Sequence, residues 1–165
     1  MEESPLGTGG GLRVAVSLVA QHRPFLLLNG DTFFDVHLDD LTAFHQAHQS
    51  QWTFALFPTA ERGRYMGMEL DEIGRVKALR TAPPATGEFL ANGGVYLVDP
   101  TVVSTAGQRS GEKASLENEL LPALLERGCA IHGMQVAGRF IDIGTPSDYG
   151  RAADVLNMEN RPSPR

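Results

Sequence analysis

The chain has 165 residues, 42% of them hydrophobic and 21% charged, which is an ordinary composition for a soluble globular domain. Its net charge of −6 offers no general basic face for a phosphate backbone, so a nucleic-acid binder is not expected. No run approaches the ~20 apolar residues of a membrane span, the N-terminus does not look like a signal peptide, and a single cysteine precludes a disulfide within the chain. We therefore expect one cytoplasmic domain over residues 1–156 and a disordered tail over residues 157–165.

The first half of the chain alternates helical and strand-like segments. Residues 12–21 predict a short helix that starts directly after a glycine-rich segment. Residues 25–28 predict a strand buried on both faces, because they form a short continuous apolar run. A helix capped by Asp39 or Asp40 follows, and then a second apolar strand at residues 52–59. This order of helix, strand, helix and strand predicts parallel pairing within an α/β sheet.

The second half of the chain predicts shorter strands. Two of them flank a turn signal at residues 71–74, and another covers residues 91–99. A helix is predicted to begin after Ser115 as its N-cap and to end at Gly128. Two further strand-like segments precede a final helix, which opens at residues 145–146 with a proline in its first turn.

Two aspartates follow apolar runs, at points where an open α/β sheet typically binds ligands. Asp31 ends the sequence Asn29-Gly30-Asp31, and Asp142 precedes Gly-Thr-Pro at the start of a helix. Carboxylates in such places suit a divalent metal, since Mg²⁺ is usually bound by one or two carboxylates together with substrate phosphates. The alternatives are a plain Asn-Gly turn with a solvated Asp31, and contacts between Asp142 and local amides at the helix entrance.

Glycines dominate two further segments. Residues 6–11 contain four glycines, whose amides can approach a base or a phosphate closely, and the following helix adds a positive end. The alternative is a flexible start, since the segment matches neither a dinucleotide-binding fingerprint nor a Walker loop. Asn92, Gly93 and Gly94 indicate either the close approach of a ligand, with Asn92 bonded to a sugar hydroxyl, or a β-bulge.

The remaining polar candidates have ordinary structural interpretations. Glu117 and Glu119 fit the acidic first turn of a helix. His45 and His48 lie on one predicted helix and are interpreted as helix-face residues, because the histidines show no zinc-site spacing. Cys129 is interpreted as a buried structural thiol. No nucleophile elbow of a serine hydrolase occurs in the sequence.

Taken together, these motifs resemble the sugar-1-phosphate nucleotidyltransferases. The resemblance covers residues 3 to 155, and it is closest to guanylyltransferases acting on heptose 1-phosphate and next to those acting on mannose 1-phosphate. The segments that carry it, in chain order, are residues 5–15, 25–45, 91–97, 115–124 and 140–149. It implies a Rossmann-like mixed sheet flanked by helices. It also implies transfer of a nucleotidyl group from an NTP, expected to be GTP, to a sugar 1-phosphate with release of pyrophosphate.

The resemblance also implies roles for individual residues. Asp31 and Asp142 match the two metal-binding aspartates of the family, which makes Mg²⁺ the expected cofactor. Nucleotide contacts are expected at Leu6, Gly7, Thr8, Gly9, Gly10, Asn29 and Gly30. Sugar contacts are expected at Asn92, Gly93, Glu117 and Arg80.

Two motifs of the family have no match in this sequence. The glycine-rich signature loop that cradles the triphosphate is not found, so we expect the first β-α-β portion of the fold to be lacking. Thr81 and Ala82 stand where the family carries Glu-Lys, and Arg80 beside them is a substitute cation of different geometry. The alternatives are thus an enzyme, a non-catalytic nucleotide-sugar-binding or regulatory subunit, and an inactive remnant. An exposed sheet edge predicts a homo-oligomer, or a partner chain that supplies the lacking portion.

Overall fold

The computed structural model describes residues 5–19, 23–80, 86–104 and 113–157. The expected tail lies outside the described residues except for Asn157, as do Thr81 and Ala82. Within the described ranges, no helix is long and apolar enough to cross a membrane.

Helices and short strands alternate along the chain. The helices are α1 (Gly7–Val16), α2 (Leu38–Ala47), α3 (Pro100–Ser104), α4 (Leu121–Glu126), which follows a π-helical turn at Leu116–Leu120, and α5 (Pro146–Leu156). The strands are β1 (Phe25–Leu28), β2 (Thr32–Phe34), β3 (Trp52–Thr59), β4 (Gly67–Leu70), β5 (Val76–Arg80), β6 (Phe89–Val98), β7 (Ile131–Gln135) and β8 (Phe140–Asp142). The sequence predicted each of these strands except β2.

Six strands form one mixed sheet, in the order β5-β4-β6-β3-β7, and β1 also pairs with β6. The pair β3–β7 is parallel, and the other pairs of this sheet are antiparallel. Strands β2 and β8 form a separate antiparallel ribbon. The predicted mixed sheet flanked by helices is confirmed, whereas direct parallel pairing of the first two predicted strands is wrong, because β6 lies between β1 and β3 and is antiparallel to both.

Strand β1 differs from its prediction in burial as well. Leu26 and Leu28 expose 40% and 55% of their surface, so β1 is not buried on both faces. Its hydrogen-bonded neighbour is β6, which pairs Phe25 with Val98 and Leu28 with Val95. Within the described residues no strand pairs with the other edge of β1, so backbone groups along that edge have no strand partner.

The core occupies both faces of the main sheet. On one face, Trp52, Phe54 and Tyr96 are at most 1% exposed and pack with α1, α3 and α4. Their rings make edge and tilted contacts at 5.3–5.9 Å between centroids, geometries that add to the free energy of area burial. On the opposite face, α2 and the β2–β8 ribbon cover the sheet through Leu41 and Phe34. Strand β6, which carries Asn92 and Tyr96, is therefore packed on both faces.

Two helix starts differ from those predicted. Helix α1 begins at Gly7 and ends at Val16, several residues earlier than expected, because the glycines themselves form its first turns. The N-cap of α2 is His37, and Asp39 and Asp40 lie in the first turn, where a negative charge suits the helix dipole.

His45 lies on α2 as predicted, on the face of the helix that is buried in the protein. Its side chain is buried where α2 packs on β3, with Nδ1 2.8 Å from Thr53 Oγ1. Burial lowers the pKa of this imidazole, so the ring is held neutral. His48 stays half-buried and stacks on Phe44 at 4.0 Å between ring centroids.

The predicted caps of the last two helical segments are confirmed. The Ser115 hydroxyl accepts a hydrogen bond from Asn118 N at 3.2 Å, and Gly128, with φ of +72°, follows the end of α4. The Thr145 hydroxyl accepts from Asp148 N at 3.2 Å, which starts α5 at the predicted proline. Both caps lie beside residues that the sequence proposed for function.

Candidate functional site

A cleft of about 590 Å³ opens between α1, the carboxyl end of β1 and the π-helical turn. Its walls combine apolar side chains from α1 and β1 with polar groups from four separate segments of the chain. The polar lining includes Thr8, Asn29, Gly30, Asp31, Tyr96 and Glu117. Of these, the sequence proposed five as functional residues and missed Tyr96.

A row of hydrogen bonds joins the predicted nucleotide side and the predicted sugar side of this cleft. The Asn92 amide nitrogen donates to the Tyr96 hydroxyl at 2.9 Å, and that hydroxyl donates to Asn29 Oδ1 at 3.2 Å. The same Asn92 nitrogen lies 3.4 Å from Glu117 Oε1. Residues that were predicted separately for nucleotide and sugar therefore belong to one connected polar group.

Tyr96 is the central member of this row. Burial raises the pKa of its phenol well above the usual range, so the hydroxyl remains a donor at neutral pH. Asn92 and Tyr96 are four residues apart on β6, and a strand places such residues on the same face. The sequence signal that could have identified Tyr96 was its position four residues after Asn92 in an otherwise apolar strand.

The paired glycines of β6 serve a β-bulge, one of the two alternatives that the sequence left open. The register between β3 and β6 shifts at this point, and Gly94 has a φ of +71°. A Cβ on Gly93 would collide with the Phe34 ring, and one on Gly94 would lie 2.6 Å from Thr32 Oγ1. The close neighbour of both glycines is thus β2 of the same chain, and a sugar contact at Gly93 stays a prediction.

The glycine-rich start of α1 packs against the segment before the π-helical turn. The amides of Gly9 and Gly10 donate to the Ala114 carbonyl at 2.9 and 3.2 Å, and Ala114 N donates to Leu6 O at 2.9 Å. Gly7 has a φ of +70°, and a Cβ there would lie 2.6 Å from Ala114 O. Two of the amides that the sequence offered to a ligand are therefore bonded within the protein.

The two predicted metal aspartates lie at one end of the β2–β8 ribbon, where Asp31 directly precedes β2 and Asp142 is the last residue of β8. The β2–β8 ribbon pairs Thr32 with Asp142, and Ile143 N donates to Asp31 O at 2.9 Å. Asp31 is exposed and faces the cleft. One oxygen of Asp142, Oδ1, accepts from Gly144 N at 2.7 Å. The fold therefore brings both residues to one place, although the Asp142 carboxylate is already hydrogen-bonded.

Arg64, which the sequence did not propose, contacts Asp142 from the loop between β3 and β4. Its Nη2 donates to Asp142 O at 2.9 Å and lies 3.5 Å from Asp142 Oδ2. Its Nη1 lies 2.6 Å from Oδ2 of Asp148. Hydrogen bonds from Thr145, Arg64 and Arg151 lower the pKa of Asp148 to about 2, so this carboxylate is charged at neutral pH.

The donor set fits a magnesium ion that is completed by a substrate. Within the described residues, no group of three or more His, Cys, Asp or Glu side chains gathers as a metal site. Asp31 and Asp142 supply hard carboxylate oxygens, and Mg²⁺ commonly takes one or two of these together with phosphate oxygens and water. These two residues would hold the ion, and the phosphates of a nucleotide in the cleft would supply further ligands.

Arg80 is not brought to the cleft. Its guanidinium pairs with Glu69 on the adjacent strand β4, with Nε 3.0 Å from Oε2, and both side chains are exposed. The cation expected near the sugar phosphate is therefore engaged elsewhere on the sheet.

A mixed α/β sheet with a polar cleft at the carboxyl end of a strand is typical of α/β proteins that bind a ligand at that edge of the sheet. The family model for nucleotidyl transferases matches residues 1–159, and the chain belongs to this family. The family that the sequence motifs indicated is thereby confirmed.

The chain is similar to several mannose-1-phosphate guanylyltransferases. A mannose-1-phosphate guanylyltransferase of Mycobacterium tuberculosis is 34% identical over 99% of this chain and 45% of its own length. A mannose-1-phosphate guanyltransferase of Schizosaccharomyces pombe is 31% identical over 90% of this chain and 41% of its own. The chain thus spans less than half the length of these relatives.

Solved structures confirm the fold. The crystal structure of HddC from Yersinia pseudotuberculosis superposes with a TM-score of 0.77 at 23% identity, covering 93% of this chain and 64% of that one. A second structure of HddC, complexed with GMP-PN, gives a TM-score of 0.76 at the same identity.

Proposed function

We propose that this chain takes part in the transfer of a nucleotidyl group from an NTP to a sugar 1-phosphate, with release of pyrophosphate. The observation that carries the proposal is the cleft lined by Asn29, Asp31, Tyr96 and Glu117, together with the buried Asn92, whose amide donates a hydrogen bond to Tyr96 and lies 3.4 Å from Glu117. Membership of the nucleotidyl transferase family supports the reaction type. The names of the relatives and the GMP-PN complex of HddC support GTP and a mannose-like sugar 1-phosphate.

The residues have distinct tasks in this proposal. Asn29 and Gly30 follow β1 at the cleft and would contact the nucleotide together with Thr8 of α1, which also lines the cleft. A nucleotide contact at Leu6, which does not line the cleft, stays a prediction from the resemblance. Asn92 and Glu117 offer a donor and an acceptor to sugar hydroxyls. The Asn92 amide keeps its orientation because Tyr96 Oη and Gly94 N hold its two ends.

The reaction itself asks the protein mainly for positioning and charge neutralisation. An oxygen of the sugar phosphate forms a bond to the α-phosphorus of the NTP while the bond from that phosphorus to pyrophosphate breaks. Mg²⁺ held by Asp31 and Asp142 would neutralise charge on the reacting phosphates. The two carboxylates thereby allow an acidic chain to bind a polyanionic substrate.

Pyrophosphate release from GTP and mannose 1-phosphate in the presence of Mg²⁺ tests this function. Asp31→Ala should abolish turnover, because it removes the exposed carboxylate of the cleft. Asp39→Ala, at an exposed aspartate in the first turn of α2, is the control and should leave turnover unchanged. Turnover that survives in Asp31→Ala would contradict the assignment of Asp31.

A second candidate function is binding of a nucleotide sugar without turnover. It is favoured by the position of Arg80, which pairs with Glu69 and leaves the predicted sugar-phosphate contact without a cation in the described part of the site. Calorimetry with GDP-mannose separates the two: heat of binding without any pyrophosphate release would establish the binding function.

We further propose that the chain acts as a homo-oligomer or together with a partner chain. The support is the edge of β1, where Leu26 and Leu28 are accessible and where, in the described ranges, no strand pairs. The expected compartment, the cytoplasm, remains a prediction from composition.

A further inference from the structure

We propose that Arg64 is a positioning residue for Asp142, and that Asp148 holds Arg64 in place for this task. The inference rests on the proposed function, in which Asp142 is a metal-binding carboxylate. It adds two residues, from the β3–β4 loop and the first turn of α5, to a site that the sequence motifs limited to two aspartates.

Arg64 holds the backbone of Asp142 by a hydrogen bond and places its positive charge beside the Asp142 carboxylate. Nη2 donates to the main-chain oxygen at 2.9 Å and lies 3.5 Å from carboxylate oxygen Oδ2. The other carboxylate oxygen, Oδ1, accepts from Gly144 N at 2.7 Å. A donor near each oxygen defines the plane of the carboxylate before any ligand arrives.

Asp148 provides the anchor for the guanidinium. Its side chain is 8% exposed, and its Oδ2 lies 2.6 Å from Arg64 Nη1 and 2.8 Å from the Thr145 hydroxyl. Because Thr145 caps α5, the position of this carboxylate is tied to the start of the helix. Arg64 thus bridges two carboxylates that lie six residues apart, one at the end of β8 and one in α5.

The charges of the group suit a residue that orients Asp142 without neutralising it. Arg64 makes its short contact with Asp148, whereas its distance to the Asp142 carboxylate is longer by 0.9 Å (3.5 against 2.6 Å). Glu61 Oε1 lies 3.4 Å from the same Nη1, so Asp148 and Glu61 together offset the charge of Arg64 at shorter distances than Asp142 does. Hydrogen-bonded partners that orient a metal ligand typically change metal affinity when they are removed.

Binding of Mn²⁺, used as a paramagnetic probe and followed by electron paramagnetic resonance on the full chain, tests the proposal. Arg64→Ala should weaken Mn²⁺ binding by about 10- to 100-fold. Arg64→Lys, which keeps the charge but not the planar fork, should recover part of this loss. Unchanged or tighter binding in Arg64→Ala would overturn the proposal, since it would mean that Arg64 is neutral or repels the ion.

Arg151→Ala is the matched control. Arg151 Nη2 contacts the other oxygen of Asp148 at 2.6 Å, and no contact described for it reaches Asp142. This variant should therefore lose an ion pair with the same carboxylate while Mn²⁺ affinity stays within about twofold of the wild type. An equal loss of affinity in both arginine variants would show a general effect on α5 and would overturn the positioning role.

A second readout separates this inference from the proposed metal site. In metal-free protein, the amide resonance of Gly144, which donates to Asp142 Oδ1, should shift in Arg64→Ala and stay in place in Arg151→Ala. If the wild type binds no Mn²⁺, the proposed metal site fails, yet the Gly144 resonance still decides the orientation of Asp142. An unmoved Gly144 amide in Arg64→Ala, or in Arg64→Lys if the alanine variant does not fold, would overturn the inference.

Discussion

Tyr96 holds the two asparagines of the cleft in one hydrogen-bonded row, although its ring belongs to the core. Its hydroxyl accepts from Asn92 and donates to Asn29, while its ring packs against Trp52 and Phe54. A buried polar group that loses its partner costs more free energy than an ordinary exposed contact. The cleft and the core are thus coupled through a single side chain.

Tyr96→Phe tests this coupling. The ring would still fill its place, but the Asn92 amide would lose its nearest acceptor, so we expect a loss of about 1 kcal/mol in the free energy of unfolding. Urea denaturation measures this change in the free energy of unfolding. The rise in melting temperature on adding GTP should also become smaller, because Asn29 loses its hydrogen bond from the Tyr96 hydroxyl. Tyr149→Phe, at a tyrosine that is 69% exposed, is the control. Equal stability of both variants would show that the hydroxyl bonds contribute nothing.

The lowered pKa of Asp148 predicts that the free energy of unfolding depends on pH, and it determines the direction of that dependence. Its folded-state pKa of about 2 lies below the ordinary value of 3.8, because Thr145, Arg64 and Arg151 bond to the charged form. Its contribution is therefore fully present above about pH 4 and is lost as the pH falls from 4 through 2.

Thermal unfolding from pH 7 to pH 2.5 checks this expectation as a difference between variants. Asp148→Asn should lower the melting temperature at pH 7, and the gap to the wild type should narrow as the pH falls from 4 to 2.5. Asp154→Asn, an exposed aspartate of the same helix, serves as control. A gap that stays constant over this range would contradict the lowered pKa.

At the scale of elements, local signals were sufficient where a segment determines its own structure. The apolar runs at residues 25–28 and 52–59 have the predicted bounds, and the caps Ser115 and Thr145 start helical segments as expected. These features depend on side chains within a few residues of each other. These local runs contain no information about the order of strands in the sheet. The sequence therefore did not predict that β6 lies between β1 and β3, the two strands that we expected to pair in parallel.

The residues of the candidate site, like the elements, could be predicted where a local sequence signal marks them. Asp31, Asn29, Asn92 and Glu117 stand out in the sequence because each lies beside a glycine or at an element end, and the fold brings them to one cleft or its floor. Arg64 gave no such signal. It is one of several arginines, and its contact with Asp142 joins positions 78 residues apart. Contacts of this range depend on topology, which the sequence pattern did not resolve.

The bulge in β6 gives a prediction for a whole element. Because a Cβ on Gly93 would collide with the Phe34 ring, Gly93→Ala should push the β2–β8 ribbon away from the sheet and destabilise the fold by about 1–3 kcal/mol. Gly150→Ala, in α5 with nothing within 4 Å of its added methyl, should instead stabilise it by up to about 1 kcal/mol. Opposite shifts in melting temperature are therefore expected, and a neutral Gly93→Ala would rule out the tight approach of β2.

On the scale of the whole molecule, the edge of β1 is the surface at which we propose that chains associate. Leu26 lies on this strand with 40% of its surface exposed, and in the described ranges β1 has a strand neighbour on one side alone. Open edges with apolar side chains favour pairing with another chain, whereas a lysine on the edge opposes it. Light scattering coupled to size exclusion should therefore show a dimer or larger assembly at micromolar concentration.

Leu26→Lys should shift this assembly towards the monomer without loss of secondary structure, because the charge would be desolvated in a strand-to-strand contact. Ile73→Lys, at an isoleucine that is 63% exposed in the β4–β5 turn, is the matched control and should leave the assembly unchanged. A wild-type chain that elutes as a clean monomer would contradict the oligomer. An assembly that persists in Leu26→Lys would place the contact on another surface than β1.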